Sequence, residues 1–350
     1  MKAAVLTEFN KPLEVKEIPY PSLQKSTDAI VQVKANGICR SDWHAWAGDW
    51  EWIGLKPELP RVLGHEFVGV VEEVGDGVTQ FKKGDRVIVP FNHGCGHCEY
   101  CIDGHQNVCN NLQLIGFHYD GGYAQYARVP NADVNLVHLP ESIDFVTAAG
   151  LGCRFMTSFH GVVDQLKLAP GEWFSVYGCG GVGLSAVQIG TALGANVIAV
   201  DIDENKLAKA KELGAVHTVN AKDNAPGEII EFTKGGAHAT LDALGIGETI
   251  RNSIFSLRTR GRHLQIGLTT QEEKGEVSLP TDLMVAKEIS FTGSLGMQPP
   301  RYNSMLKMIE NGKLNPGKLI SRTVSLEEAG DVIAGMTGYA TLGSVVVDRF

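Results

Sequence analysis

No stretch of the 350-residue sequence approaches the ~20 consecutive apolar residues that a membrane span needs. Runs of basic residues are missing as well. With a formal net charge of -9, the chain lacks the electrostatic footprint of a nucleic-acid binder. The opening Met1–Leu6 meets Glu8 before an apolar core of signal-peptide length can form. Internal repeats and low-complexity segments are also lacking. These absences point to a soluble cytoplasmic protein with neither membrane nor nucleic acid among its partners. The length suits two domains, and 20% charged residues against 43% hydrophobic ones is an ordinary balance for a globular chain.

The seven cysteines do not make a disulfide framework. The chain is long, and four of them crowd between Cys95 and Cys109, which is metal spacing. The pattern C-x2-C-x2-C-x7-C on one short stretch (Cys95, Cys98, Cys101, Cys109) closes a tetrahedral zinc shell with no open position, a site that holds a loop and does no chemistry. An iron–sulfur cluster is the rival. Its bacterial run continues with three residues and then Cys-Pro, which is absent here. Cys39, His65-Glu66 and Cys153 are scattered candidates for a second, open site. Buried cysteine is also a common small apolar filler, so spacing alone leaves that reading standing for each. Cys179 lies inside a glycine turn and receives no ligand role.

That turn is Gly178-Cys179-Gly180-Gly181-Val182-Gly183. It follows the apolar run Trp173–Tyr177, expected as a buried strand, and opens the apolar-periodic segment Leu184–Leu193, expected as a helix. A G-x-G-x-x-G spacing there gives a tight bend, a bare backbone where a pyrophosphate can approach, and close helix–strand packing. Asp201 ends the next apolar run, where a ribose 2′-hydroxyl needs an acceptor. A turn that merely closes a βαβ unit is the bland alternative.

Periodicity divides the chain. Residues 1–154 carry short alternating runs separated by Gly, Asp and Pro, which read as a β-rich domain. Residues 155–295 alternate six strand candidates (173–177, 196–200, 216–219, 239–243, 262–266 and 289–293) with helical patterns. That alternation predicts a doubly wound parallel sheet. Asp203 is placed to cap the helix after Asp201, and Gly214 to close it. Pro226 suits a first helical turn that Gly235-Gly236 would end. Residues 296–350 offer a helix near Asn303–Asn311 and a final strand Ser344–Val347, and would return to the first domain.

At this point the chain resembles the zinc-dependent medium-chain alcohol dehydrogenases over its whole length. Gly64-His65-Glu66-x2-Gly69-x5-Gly75-x2-Val78 matches that family's zinc signature. Cys39-Arg40-Ser41-Asp42-Trp43-His44 resembles its first-ligand segment, the Cys95–Cys109 lobe its structural-zinc loop, and Gly178–Gly183 with Asp201 its coenzyme turn. The resemblance implies a GroES-like catalytic domain joined to a Rossmann domain, two zinc ions and NAD. It implies a catalytic zinc on Cys39, His65 and Cys153, with Glu66 as a near or transient ligand and Asp42 orienting the His65 ring. Ser41 and His44 would relay the proton. Arg40, Thr157, Gly178, Gly180, Gly181, Val182, Gly183, Asp201, Lys206 and Leu268 would contact coenzyme, and Phe91 would line the alcohol site. Where relatives often carry an arginine on the coenzyme phosphates, this chain has Ser344, with Arg40 as a substitute candidate.

The implied activity is interconversion of an alcohol with an aldehyde or ketone, in a dimer or tetramer pairing through Ile289–Gly293. Four tryptophans between Trp43 and Trp52 favour a small or flat primary alcohol, or are core fillers. A polyol or secondary-alcohol dehydrogenase is the nearest rival, although relatives of that kind often carry an acidic third ligand where this chain has Cys153. A zinc-free quinone reductase would lack the ligand set, and a non-catalytic zinc scaffold would not bind NAD.

Overall fold

A computed structural model describes residues 1–338 and 341–350. The chain forms two compact units: Met1–Met156 with Gly296–Phe350, and Thr157–Leu295.

The first unit is built on a seven-stranded sheet whose centre is the long strand Ala29–Ile38. It pairs antiparallel with Glu66–Val74 on one side and with Ser344–Arg349 on the other. Eight of its ten residues are buried, so its VQVKANGI alternation is nearly lost to burial on both faces. The register sets Gly37 opposite Glu66 and Ile38 opposite Val345. The residues just beyond these pairs, Cys39 and His65, are thus brought to one end of the sheet by the ladder itself. Phe67, Val31, Val71 and Val87 pack as one cluster, and Leu63, Tyr123, Ile38 and Val345 as another. Each such side chain contributes roughly 1.5–3 kcal/mol on full burial.

The second unit is a six-stranded, wholly parallel sheet. Spatial order runs His217–Asn220, Asn196–Asp201, Trp173–Tyr177, Ala237–Asp242, Leu257–Gln265, Ser290–Gly293. In sequence rank that is 3-2-1-4-5-6, with the reversal at Trp173–Tyr177, where ligands bind doubly wound sheets. The helix after Asn196–Asp201 spans Glu204–Glu212, capped by Asp203 accepting from the Asn205 amide. Gly214 follows with φ of 107°. Pro226 lies in the first turn of Ala225–Thr233. That helix closes differently from expectation: Lys234 itself takes the left-handed conformation, φ 54°, ahead of Gly235 and Gly236. Glycine would suit that backbone better; the two glycines carry the turn onward instead.

No helix among the described residues is long and apolar enough to cross a membrane.

Candidate metal and coenzyme sites

Three elements deliver the first constellation. Cys39 is the N-cap of the helix Arg40–Ala47, His65 directly precedes the strand Glu66–Val74, and Cys153 is the first residue of the helix Cys153–Phe159. One ligand atom from each of Cys39, His65, Cys153 and Glu66 lies within 4.8 Å of all the others. The Cys153 thiol hydrogen-bonds the Cys39 sulfur, which pulls Cys39 well below the usual thiol range and pushes Cys153 well above it.

The imidazole is oriented from behind. Its Nδ1 lies 2.8 Å from Asp42 Oδ1. Because a carboxylate only accepts, Nδ1 carries the proton and Nε2 keeps its lone pair. Nε2 is buried and has no hydrogen-bond partner. A buried acceptor left bare costs about 1–3 kcal/mol, and a divalent cation between the two sulfurs removes that cost. Burial would depress His65, but Asp42 and the Cys39 sulfur outweigh it and raise the ring well above the usual histidine range, so Nε2 takes a proton unless a cation occupies that lone pair instead. The donor set of two sulfurs and one imidazole, with a fourth corner, therefore fits an open zinc site.

Asp42 is an organising residue for the whole end of the sheet. It sits in the first turn of its helix and closes a capping box with Cys39. Its Oδ2 accepts from the Cys39 amide at 2.9 Å and the Tyr123 hydroxyl at 2.8 Å, and its Oδ1 from the Gly64 amide at 3.2 Å as well as from His65. One carboxylate thus ties two ligand segments together.

Around this core lie the remaining residues of the first-ligand segment. Ser41 Oγ is 3.8 Å from Cys39 Sγ. His44 is half-buried, with Nδ1 2.7 Å from Asp49 Oδ1. Its ring stacks on Trp50 at 4.1 Å. Burial lowers the His44 pKa while Asp49 opposes. Phe91 meets the His65 ring edge-on at 6.0 Å, and Phe117 does so at 6.1 Å. Of the clustered tryptophans, Trp46 belongs to the core with its Nε1 on the Lys11 carbonyl, whereas Trp50 joins the aromatic chain that reaches His65. Arg40 lies over the Trp43 ring at 3.8 Å and donates to the Met336 carbonyl. Ser344 is buried in the ladder opposite Ile320.

The second constellation is Cys95, Cys98, Cys101 and Cys109, with all four sulfurs within 4.8 Å of one another. Backbone amides point at them: Cys98 N–H toward Cys95 Sγ, Cys95 N–H and Asn111 N–H toward Cys109 Sγ. The amides of His97 and Cys98 draw Cys95 down to about 6. Asn135 anchors the lobe, accepting from Gly94 N–H and donating to the Gly94 carbonyl. Burial pushes Cys101 up to about 12 and raises Cys109 as well, so the four sulfurs would all give up their protons only to a shared cation, and four such ligands leave no corner open.

In the second unit, Gly178 has φ of 88° and Gly183 is packed so tightly that a Cβ there would fall 1.7 Å from the Gly178 carbonyl oxygen. A Cβ at Gly180, by contrast, would meet nothing within 4 Å. The turn is therefore crowded where it bends and bare where a phosphate would lie. The helix Gly181–Ala192 starts there, with the amides of Gly181, Val182 and Gly183 at its N-terminus. Asp201 is buried beside the turn; its carboxylate accepts from Cys179 N–H at 2.6 Å and Asp203 N–H at 3.0 Å. Cys179 is buried, hydrogen-bonded toward Val200, and a member of neither sulfur cluster. Thr157 Oγ1 is buried without a hydrogen-bond partner. Leu268 is 46% exposed, and Lys206 makes interactions of its own.

Four contributors escaped sequence reasoning, among them Phe117 against the His65 ring. Arg154 donates Nε and Nη2 to the two oxygens of Glu66. Tyr123 supports Asp42, and Asp49 supports His44. Only Arg154 left a signal, a guanidinium next to a candidate metal-binding cysteine.

Known proteins resemble this chain over its whole length. A family described as "Alcohol dehydrogenase GroES-like domain" matches residues 25–141, and one described as "Zinc-binding dehydrogenase" matches residues 181–311. An alcohol dehydrogenase of Geobacillus stearothermophilus is 38% identical over 348 residues, covering 99% of both chains. An NAD-dependent alcohol dehydrogenase of Sulfurisphaera tokodaii is 34% identical over 357 residues, with 99% of each covered. The crystal structure of the alcohol dehydrogenase from Aeropyrum pernix superposes with a TM-score of 0.89 at 32% identity, covering all of both chains.

Proposed function

Because the chain belongs to the zinc-dependent medium-chain alcohol dehydrogenase family, we propose that it interconverts an alcohol with its aldehyde or ketone, using NAD as hydride carrier and two zinc ions per chain. The observation that carries this reading is the convergence of two sulfurs and an unpartnered imidazole nitrogen, with Asp42 fixing the ring.

When bound, zinc would make an alcohol hydroxyl far more acidic than it is in water, and the nicotinamide would accept the hydride. Everything else falls to the chain's own side chains. Cys39, His65 and Cys153 would hold the catalytic zinc, with Glu66 as a near or transient ligand. Cys95, Cys98, Cys101 and Cys109 hold the structural zinc. Ser41 takes the hydroxyl proton, and His44 accepts it onward toward water. Asp49 on Nδ1 leaves His44 Nε2 as the accepting atom. Burial, which lowers its pKa, favours the neutral form a base requires. Phe91, Phe117 and Trp50 exclude water and favour a small or flat primary alcohol.

Gly180 and the amides of Gly181, Val182 and Gly183 would hold the coenzyme pyrophosphate. Gly178 makes the bend, and Asp201 and Lys206 hold the adenosine ribose. Arg40, Thr157 and Leu268 add contacts. The anionic Asp201 repels a 2′-phosphate, so NAD is preferred over NADP. The polyol rival is disfavoured by Cys153 in place of an acidic ligand. The protein works in the cytoplasm as a homo-oligomer, dimer or tetramer, pairing through the edge strand Ser290–Gly293, whose Phe291 is exposed.

Metal counting per chain, combined with an alcohol panel followed at the NADH absorbance, tests the proposal. Two zinc ions and turnover of a simple alcohol are expected. Zinc-loaded protein that binds NAD yet reduces it with no alcohol would overturn it.

A further inference from the structure

Glu66 is the odd member of the catalytic cluster. One of its oxygens falls within 4.8 Å of both sulfurs and of the imidazole nitrogen. If it ligated, four protein donors would close the shell, and a closed shell holds a metal without doing chemistry. The alcohol needs that corner.

The carboxylate is restrained from the other direction. Arg154 Nε donates to Oε1 at 3.1 Å, Nη2 donates to Oε2, and the Arg154 backbone N–H reaches Oε1 at 3.3 Å. Both partners are out of water, with side chains 1% and 11% exposed for Glu66 and Arg154. Two glycines make room for Glu66. A Cβ at Gly37 would fall 2.3 Å from Oε2, and one at Gly152 would fall 2.4 Å from Glu66 Cβ. The side chain therefore lies against bare backbone on two sides and ends in a guanidinium fork.

We propose that Arg154 is a positioning residue that holds Glu66 off the catalytic zinc and so reserves the fourth corner for the alcohol. The proposal rests on the zinc–alcohol reading above, and its test reads metal ligation rather than turnover. Two oxygens engaged by two N–H groups are aimed at the fork, and lysine, a single point charge, cannot duplicate that geometry. Arg154 also balances charge. Two thiolates, Asp42 and Glu66 set four negative charges against zinc and one guanidinium. Removing the guanidinium leaves Glu66 as the surplus anion nearest the cation, free to swing onto it.

The experiment replaces the catalytic zinc with cobalt in the full chain and titrates the free fourth position with imidazole, read in the visible cobalt absorption. In Arg154→Met, Glu66 competes for the corner, and imidazole Kd is expected to rise roughly 10- to 100-fold, the usual range for removing a residue that supports a metal site. Release of cobalt to a chelator slows, because the metal has gained a protein ligand. Arg154→Met combined with Glu66→Gln leaves no unpaired charge and returns imidazole affinity to near the parent. Arg154→Lys, which keeps the charge but not the fork, weakens imidazole by about threefold or more. Parent-like imidazole binding in both Arg154→Met and Arg154→Lys overturns the proposal. So does weakening that Glu66→Gln fails to reverse, or faster cobalt loss in Arg154→Met, since either marks a merely structural arginine. Failure of the parent itself to bind imidazole removes the open corner and the proposal with it, whatever the turnover assay reads.

Discussion

Asp42→Asn is the most informative single change, because one buried carboxylate serves four donors. The substitution keeps the shape and removes one acceptor oxygen. If the amide replaces Oδ1, it faces the Gly64 amide and His65 Nδ1; if it replaces Oδ2, it faces the Cys39 amide and the Tyr123 hydroxyl. Either way two hydrogen bonds to a charged group are lost: the backbone amide is left in a donor–donor contact, and the Tyr123 hydroxyl or the His65 ring must turn to accept from the new amide. Such bonds contribute about 1.5–3 kcal/mol each, so the swap costs about 3–6 kcal/mol before relaxation. Against a total stability of about 5–15 kcal/mol, that is a large share. The imidazole also loses its orienting partner, and zinc affinity at this site should fall roughly 10- to 100-fold. Urea unfolding of the zinc-loaded protein and competition with a chromophoric chelator measure the two effects. The Cys95–Cys109 lobe should keep its ion, since none of its ligands touches Asp42. Tyr123→Phe removes one of the four donors and should cost about 1.5–3 kcal/mol. An Asp42→Asn protein with an unshifted urea midpoint and parent-like zinc affinity would refute the reasoning.

Cys98→Ser should drop the metal count from two per chain to one while alcohol turnover persists at low temperature, with the loss appearing as faster thermal inactivation; metal analysis and a heat-inactivation time course check this. Gly180→Leu should raise the Kd for NAD by tenfold or more with little change in melting temperature, because the side chain fills only the space a phosphate would use. Gly183→Ala should lower the melting temperature as well, since its Cβ collides with the Gly178 carbonyl; calorimetry with a fluorescence titration separates the two. Burial pushes His263 down to about 4 from 6.5. Above pH 6.5 folded and unfolded chains are both neutral there and stability is full. As pH falls, the unfolded chain takes the proton first, and stability is lost down to about pH 4 by roughly 3 kcal/mol. His263→Gln should flatten that part of the pH–stability curve.

Chemistry that repeats at short range was legible in the sequence. The glycine turn and the Cys95–Cys109 lobe are each confined to a few residues, and their spacing reports their geometry. The alternation of strands and helices in 173–293 predicted the parallel sheet, because each unit is closed by local caps such as Asp203. The open site was legible only through resemblance. Its ligands lie far apart in sequence and are joined by the ladder pairing Gly37 with Glu66 and by Asp42, neither of which leaves a local pattern. The helix Arg40–Ala47 went unread because Cys39 is an unusual N-cap and the segment's tryptophans mask its period. Tyr123 acts on Asp42 across 81 residues, and no spacing rule reaches that far.

The most direct measurement is X-ray diffraction from crystals of the purified protein at energies on either side of the zinc absorption edge. The account predicts an anomalous peak bounded by Cys39 Sγ, Cys153 Sγ and His65 Nε2, with sulfurs at about 2.3 Å and nitrogen at about 2.0–2.1 Å, and a second peak among Cys95, Cys98, Cys101 and Cys109. A fully loaded protein with density only in the four-cysteine lobe, or with Cys39 and Cys153 joined as a disulfide, would contradict it.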